Sequence, residues 1–261
     1  MSEPFIIDAH AHTGAMNLFF SPESSARQLL ARMDRQGIRC CVNAGGWTYL
    51  LMGGREGLEE LRREHLESQG RIFYLGVYDP RRGREALAEL KQARGWPGFA
   101  GIKIHPSFHR TPAEDPAYEP VWSFAAEHDL TVMSHSWSVS DYNPVQVLSL
   151  PRRFEGWVRR YPGVRFVLAH AGGRGNGRAD AVRMARELPN VYLDLAGDVF
   201  CFRLLEGLER EVPAGKLLFG SDFPWLDPRA NLSRVLLAGV STETKRRILR
   251  DNALEAYRLP A

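Results

Sequence analysis

The motif Asp8-Ala9-His10-Ala11-His12 follows an apolar run, Phe5-Ile6-Ile7, near the start of the chain. This pattern predicts a β-strand, whose side chains alternate between two faces, so His10 and His12 would point the same way, about 7 Å apart. Two imidazoles on one face can converge on a single metal ion if the strand twists slightly. The same pair can equally be two surface histidines at a strand end, and the motif alone does not separate these interpretations.

Further histidines and one carboxylate follow later apolar runs. His105, His135 and His170 each end such a run, Lys103 lies two residues before His105, and Asp222 is the single acid that ends an apolar strand. Together with the first motif, five of the eight histidines then lie at strand ends. This distribution predicts a shared site, although His105 precedes a proline and can instead cap a turn.

Eight apolar runs alternate with helical segments, and they are the predicted strands: 5–12, 40–44, 72–77, 99–105, 130–135, 164–170, 191–195 and 216–222. Their mean spacing of about 30 residues is typical of a (β/α)8 TIM barrel, an α/β fold whose chemistry lies at the C-terminal ends of the strands. Near-continuous apolar strands are expected because both faces of a parallel sheet are covered. An open doubly wound sheet is the alternative, but no glycine-rich phosphate loop follows the first strand. We predict a single domain, residues 1–261.

The helix boundaries follow from local signals. Ser21-Pro22-Glu23 predicts the start of the first helix, with a capping hydroxyl and a proline in the first turn. The last helix is predicted as one continuous segment, 245–257.

Composition excludes several classes of protein. The net charge is only +3 and the 34 basic residues are scattered, so no nucleic-acid footprint is expected. No apolar run approaches the about 20 residues of a membrane helix, and a strand that begins by residue 5 leaves no room for a signal peptide.

Cys40, Cys41 and Cys201 fit neither a disulfide framework nor a zinc-finger spacing, which favours a reducing cytoplasm. A homodimer is compatible with the sequence.

The motifs together resemble the amidohydrolase superfamily, particularly its branch of amidohydrolase-related proteins that includes the aminocarboxymuconate-semialdehyde and resorcylate-type decarboxylases. The matching segments come in the family's order and cover nearly the whole chain: DAHAH at 8–12, GIKIHP at 101–106, His135, AHAGG at 169–173, GSDFPW at 220–225 and NALEAYRL at 252–259.

This resemblance implies that His10, His12, His135 and Asp222 surround a divalent metal, usually zinc. It also implies that His170 lies beside the metal-bound water or the substrate, as a ligand or as a catalytic partner. One Zn²⁺ is the expected cofactor, with Mn²⁺ or a second metal as alternatives.

Lys103 leaves the number of metals open. In two-metal branches a lysine at the end of the fourth strand is carboxylated and bridges the ions, whereas in one-metal relatives the corresponding region binds substrate. His105, two residues later, departs from the simple carboxylated-lysine pattern, so we favour one metal.

A zinc ion with an open coordination position lowers the pKa of its bound water to ~7 and so generates a nucleophile. Asp222 would take the proton from that water and deliver it to the leaving group. His170 would hydrogen-bond the attacking oxygen or the oxyanion.

The expected substrate is a small anionic molecule, because a barrel interior does not bury the Lys103 ammonium without a partner. Lys103, His105 and Arg174 are the candidates for holding a substrate carboxylate. Three tryptophans that follow predicted strands either wall the pocket or pack on the rim: Trp47, Trp137 and Trp225.

Three functions fit these observations. The first is hydrolysis of an amide, lactone or ester of a small carboxylate-bearing substrate. The second is non-oxidative decarboxylation of an unsaturated or aromatic acid. The third is a metal-stabilised barrel without catalysis, which the complete His/His/His/His/Asp set disfavours because a structural zinc site closes with four ligands.

Overall fold

A computed structural model describes residues 5–16 and 21–260 of the chain. Eight parallel strands form one sheet, in which each strand pairs with the next in chain order. They are β1 (Ile6–Ala11), β2 (Ile38–Asn43), β3 (Ile72–Val77), β4 (Phe99–Ile104), β5 (Thr131–Ser134), β6 (Arg165–Leu168), β7 (Val191–Asp194) and β8 (Leu217–Leu218).

Backbone hydrogen bonds join the last strand region to the first. The Ala9 N–H donates to the Phe219 carbonyl at 2.8 Å, and the Asp222 N–H donates to the His10 carbonyl at 2.9 Å. The predicted (β/α)8 barrel is therefore confirmed and the open sheet is excluded. β8 is much shorter than the predicted segment 216–222, because the chain leaves the pleat there and Asp222 adopts a left-handed conformation with φ 61°.

Helices surround the sheet. They are α1 (Ala26–Gln36), α2 (Trp47–Met52), α3 (Arg55–Glu67), α4 (Arg84–Ala93), α5 (Pro106–His109), α6 (Glu119–Glu127), α7 (Glu155–Arg160), α8 (Gly175–Glu187), α9 (Leu204–Glu211), α10 (Pro228–Leu236), α11 (Thr242–Arg246) and α12 (Asn252–Tyr257). None of these described helices combines the length and the apolar character that a membrane span requires.

The predicted start of the first helix at Ser21 is wrong. α1 begins at Ala26, and its N-cap is Ser25, whose hydroxyl accepts a hydrogen bond from the Gln28 N–H while the Gln28 side chain accepts one from the Ser25 N–H. This reciprocal capping box satisfies two N–H groups, whereas the proline signal at Pro22 supplies only a favourable φ.

The predicted last helix, 245–257, is helical over its whole length, but it contains one irregular turn. Residues 247–251 form a wider turn between α11 and α12. The Ile248 carbonyl accepts a hydrogen bond from the Phe219 N–H at 2.9 Å. The wider turn therefore lies where this helical segment contacts the barrel.

The barrel interior is apolar towards the N-terminal ends of its strands. Branched and small side chains from most of the strands fill it, among them Ile7, Val42 and Val167, and Tyr257 from α12 packs against them. The Tyr257 hydroxyl donates to the Ala9 carbonyl at 3.3 Å. The polar side chains predicted to form the site lie at the opposite, C-terminal end of the barrel.

Candidate metal centre

His10 and His12 converge as their spacing predicts. Their Nε2 atoms are 3.0 Å apart, and both side chains are buried. The ring of His12 stacks on Trp225, with centroids 4.0 Å apart. The two histidines therefore form one site and not two separate surface groups.

The second nitrogen of each ring has a hydrogen-bond acceptor as its partner. His10 Nδ1 lies 3.0 Å from Asp194 Oδ2, and His12 Nδ1 lies 2.6 Å from the Gly45 carbonyl oxygen. Because a carbonyl and a carboxylate accept, both Nδ1 atoms carry the proton and both Nε2 atoms present lone pairs. Burial lowers the pKa of both imidazoles, which favours this neutral form.

Asp222 adds a negative charge beside these lone pairs. Its Oδ1 lies 3.9 Å from His10 Nε2 and 3.5 Å from His12 Nε2, and this buried oxygen has no hydrogen-bond partner within residues 5–16 and 21–260. Burial raises the pKa of Asp222, but the contact with His12 and the nearby His170 and His10 outweigh burial and hold the pKa below its usual range. Two lone pairs and a carboxylate oxygen so close together fit a divalent cation.

The loops carrying this cluster are joined by Asp8. Its Oδ1 accepts hydrogen bonds from the His10 N–H at 3.1 Å and from the Ser221 N–H at 2.9 Å. One carboxylate oxygen thus connects the strand that carries the two histidines to the turn that carries Asp222. Burial raises the pKa of Asp8 to about 7.

Among the described residues, two groups of three place one ligand atom each within 4.8 Å of one another: His10, His12 and Asp222, and His10, His170 and Asp194. The first group contains three of the four predicted ligands. The second contains the hydrogen bond between His10 and Asp194, so we interpret it as a set that orients the ring of His10.

His135, the fourth predicted ligand, belongs to neither group. Its Nε2 lies 2.9 Å from Gln146 Oε1, and its ring stacks on His105, with centroids 4.2 Å apart and planes 7° apart. Its centroid is 5.0 Å from that of His170. His135 therefore lies beside the cluster, and its role as a ligand stays a prediction.

His170 faces Asp222 across the mouth. Its Nδ1 lies 4.0 Å from Asp222 Oδ2 and, although it is buried, has no hydrogen-bond partner in the described part of the chain. Its backbone is left-handed, with φ 59° and ψ 20°, and the next residue, Ala171, is also left-handed. Such a conformation is unfavourable for residues other than glycine, so neighbouring contacts must hold His170 in place.

Lys103 lies deeper, at 1% exposure, with its Nζ 3.3 Å from His10 Nε2 and 3.3 Å from the Met133 sulfur. Burial lowers the pKa of Lys103 to about 8, against the opposing charges of Asp194 and Asp222. His105 is the N-cap of α5, where its Nδ1 accepts a hydrogen bond from the Phe108 N–H at 3.4 Å. The turn-capping role considered for His105 is thus present.

The three predicted tryptophans all border the mouth and are half-buried. Trp225 stacks on His12, Trp47 contacts Trp225 edge-on at 6.1 Å, and the Trp137 centroid is 5.4 Å from that of His170. Arg174, in contrast, is exposed and pairs with Asp198 at 3.1 Å on the rim. The structure thus brings the tryptophans to the cluster, but not the Arg174 guanidinium.

Sequence reasoning missed Asp194, and the expectation that Asp222 is the single acid at a strand end was wrong. Asp194 is fully buried at the end of β7 and bonds to His10 and to the backbone of His170. The available signal was the same as for Asp222, an acid that ends an apolar run. Gly45 and Gln146 carried no comparable signal, because neither ends an apolar run.

Solved structures of similar fold include several enzymes. A 5-carboxyvanillate decarboxylase from Sphingomonas paucimobilis is 14% identical, with a TM-score of 0.74 over 99% of this chain and 100% of that one. A 2,6-dihydroxybenzoate decarboxylase from Rhizobium is 14% identical, with a TM-score of 0.75 over 98% and 99%. A 5-carboxyvanillate decarboxylase from Novosphingobium aromaticivorans, complexed with manganese, is 13% identical, with a TM-score of 0.75 over 98% and 96%.

At these identities the likeness establishes the fold. No curated protein matches the sequence. The sequence model of the amidohydrolases matches residues 7–259, which is nearly the whole chain and includes every motif discussed above. The chain therefore belongs to the amidohydrolase family.

Proposed function

We propose that this protein is a metal-dependent enzyme that removes CO2 non-oxidatively from a small, planar, unsaturated or aromatic carboxylic acid. The observation that carries this proposal is a stack of nearly parallel rings beside the histidine–aspartate cluster. Phe108 and His105 are 3.6 Å apart and 4° from parallel, and His135 continues the stack at 4.2 Å. A site lined by aromatic rings favours planar ligands. Relatives whose names specify decarboxylation of benzoate derivatives support the choice.

His10, His12 and Asp222 would hold the metal, with His135 as the predicted fourth ligand. Zn²⁺ fits two imidazoles and a carboxylate, and Mn²⁺ is the alternative that one relative's structure supports. When bound, a divalent ion stabilises negative charge that develops on a substrate oxygen.

The remaining side chains of the site are proposed to bind the substrate, to cover it and to supply a proton. Lys103 and His105 are proposed to hold the substrate carboxylate, and the half-buried tryptophans to cover its ring. Decarboxylation leaves the electron pair of the broken C–C bond on the ring carbon, which must then take up a proton. His170 Nδ1, which has no hydrogen-bond partner among the described residues, is proposed to hold that proton.

Hydrolysis of a lactone, amide or ester is the second candidate. The unpartnered Asp222 Oδ1 supports it, because a buried carboxylate beside the histidine pair can accept a proton from an attacking water. A planar lactone would use the same stack of rings, so the binding surface does not distinguish the two reactions.

The test is a substrate panel on protein loaded with Zn²⁺ or Mn²⁺. The panel contains hydroxylated benzoates, 2,6-dihydroxybenzoate and 5-carboxyvanillate among them, together with lactones and amides of planar acids. CO2 release with loss of the acid's ultraviolet absorbance supports decarboxylation, whereas ring opening without CO2 supports hydrolysis. Metal binding without turnover of any member would favour the non-catalytic barrel. Metal-free protein and His12→Ala are the controls.

The cellular setting remains a proposal. The three cysteines form no disulfide, and Cys41 is buried as a thiol whose pKa burial raises. Free thiols, with one of them buried, suit a cytoplasmic protein that acts on a small anionic molecule.

A further inference from the structure

We propose that Asp194 is a positioning residue that controls two parts of the site at once: the tautomer of His10 and the backbone of His170. The inference rests on the proposed metal site but does not depend on which reaction the enzyme catalyses. Asp194 ends β7 and is completely buried.

The two carboxylate oxygens of Asp194 contact different partners. Oδ2 lies 3.0 Å from His10 Nδ1. Oδ1 accepts hydrogen bonds from the His170 N–H at 2.9 Å and from the Ala196 N–H at 3.0 Å. One side chain thus joins β1, the segment after β6 and the loop after β7.

The contact with His10 decides which nitrogen can bind a metal. A carboxylate accepts, so His10 must carry its proton on Nδ1 and present the lone pair of Nε2. It is Nε2 that faces His12 Nε2 and Asp222 Oδ1. The opposite tautomer would place a proton in the middle of the cluster and remove one ligand.

The contact with His170 supports an unfavourable backbone. His170 and Ala171 are consecutive left-handed residues, with φ values of 59° and 47°. The hydrogen bond to Asp194 Oδ1 fixes the first peptide of this turn. The loop after β7 packs closely as well, since a Cβ on Gly197 would lie only 2.6 Å from His170 Nδ1. The side chain of His170 is thereby directed at Asp222.

The substitution Asp194→Asn should keep the contacts of Oδ1 with the backbone and change the contact with His10. The two backbone N–H groups require an acceptor, so they orient the asparagine with Oδ1 towards His170 and Ala196. The amide nitrogen then faces His10 Nδ1 and donates to it, which forces the proton of His10 onto Nε2. We expect the backbone of His170 to be retained and the affinity for Zn²⁺ or Mn²⁺ to fall roughly 10- to 100-fold, the usual effect of losing an outer partner of a metal-binding histidine.

The experiment has two readouts, neither of which needs activity. Chelator competition measures the dissociation constant for Zn²⁺ and Mn²⁺ in the wild type and in Asp194→Asn. Nitrogen-15 NMR of the metal-free proteins reports the tautomer of His10. Asp198→Asn is the matched control, because Asp198 lies on the same loop but forms an exposed ion pair with Arg174; its affinity should equal that of the wild type.

The outcomes are distinct. Weaker metal binding together with a switch of the His10 tautomer supports the inference. Unchanged affinity and an unchanged tautomer in Asp194→Asn would overturn it. If Asp194→Asn does not fold, the wild type still decides, because a His10 protonated on Nε2 contradicts the role of Asp194. A wild type that binds no metal while His10 is protonated on Nδ1 would refute the metal site but not the orienting contact.

Discussion

The two sides of the barrel mouth are held by different forces. On one side, β1, β7 and the turn after β8 supply His10, Asp194 and Asp222, all buried and linked by polar contacts of 3.0–3.9 Å. On the other side, the segments after β4 and β5 supply His105 and His135, which stack face to face. We name these the hydrogen-bonded side and the stacked side.

The difference has a physical meaning. Hydrogen bonds are directional, so the hydrogen-bonded side determines where each lone pair points, as a metal ion requires. Ring stacking tolerates offsets, so the stacked side can adapt to a flat ligand without losing its packing. The comparison predicts that metal affinity depends mainly on the first side, to which the stacked side adds only the predicted ligand His135, and that substrate selection depends on the second side.

The largest expected effect concerns the metal. His12→Ala should lower metal affinity by more than the roughly 100-fold that loss of an outer partner costs, because it removes one of three clustered ligand atoms. His105→Ala, on the stacked side, should keep its metal. Elemental analysis after dialysis measures both. Equal losses in the two variants would abolish the distinction between the sides.

The next effect concerns catalysis at the boundary between the sides. His170→Asn should lower kcat and kcat/KM alike by roughly 10²–10⁴-fold, the usual contribution of a positioned acid or base, because the lost interaction is made in the transition state. His170 is not in the group that contains His12 and Asp222, so the metal should remain. His128→Asn, on the half-buried His128 after α6, is the control. Loss of the metal would instead make His170 a ligand.

A third prediction tests how far the hydrogen-bonded side extends. Glu64 on α3 accepts hydrogen bonds from the Thr13 hydroxyl and from the Asn43 side-chain amide. Asn43 Oδ1 in turn accepts a hydrogen bond from the Gly45 N–H. The Gly45 carbonyl oxygen lies 2.6 Å from His12 Nδ1, so these contacts lead to the ring of His12. Burial raises the pKa of Glu64 from 4.5 to about 7. Because the folded state holds this proton more strongly, its stabilising contribution is complete below pH 4.5 and is lost as the pH rises to about 7.

Glu64→Gln keeps an acceptor oxygen and removes the titration. Its free energy of unfolding, relative to the wild type, should therefore rise between pH 4.5 and 7 by on the order of 3 kcal/mol and then stay constant. Urea unfolding at several pH values measures the difference. Glu67→Gln, an exposed change on the same helix, should show no such trend. A flat difference for Glu64→Gln would mean that this carboxyl is charged throughout that range.

The smallest expected effect concerns the substrate. Lys103→Met should raise KM for a carboxylate substrate about tenfold or more, the usual contribution of a charged hydrogen bond, with less change in metal content. Steady-state kinetics and elemental analysis on the same preparation measure the two quantities. If metal is lost instead, Lys103 belongs to the hydrogen-bonded side, as a ligand or as support for one.

Some features were predictable because their signals are local. The eight strands are apolar runs that must be covered on both faces, and the period of two along a strand places His10 and His12 together. Where two local signals compete, the prediction failed: the capping box at Ser25 prevailed over the proline at position 22. The wider turn before α12 lies where the Ile248 carbonyl bonds to the Phe219 N–H, a contact that no local pattern showed.

The sequence by itself determined the barrel and the set of strand ends that carry histidine and aspartate, since both follow from residue type and spacing. Only the tertiary structure decided which nitrogen of each imidazole faces the cluster. That choice depends on partners distant in the chain: Asp194 is 184 residues from His10, and Gly45 is 33 from His12. A tautomer is set by the acceptor that folding places beside the ring, and neither motif nor periodicity encodes that contact.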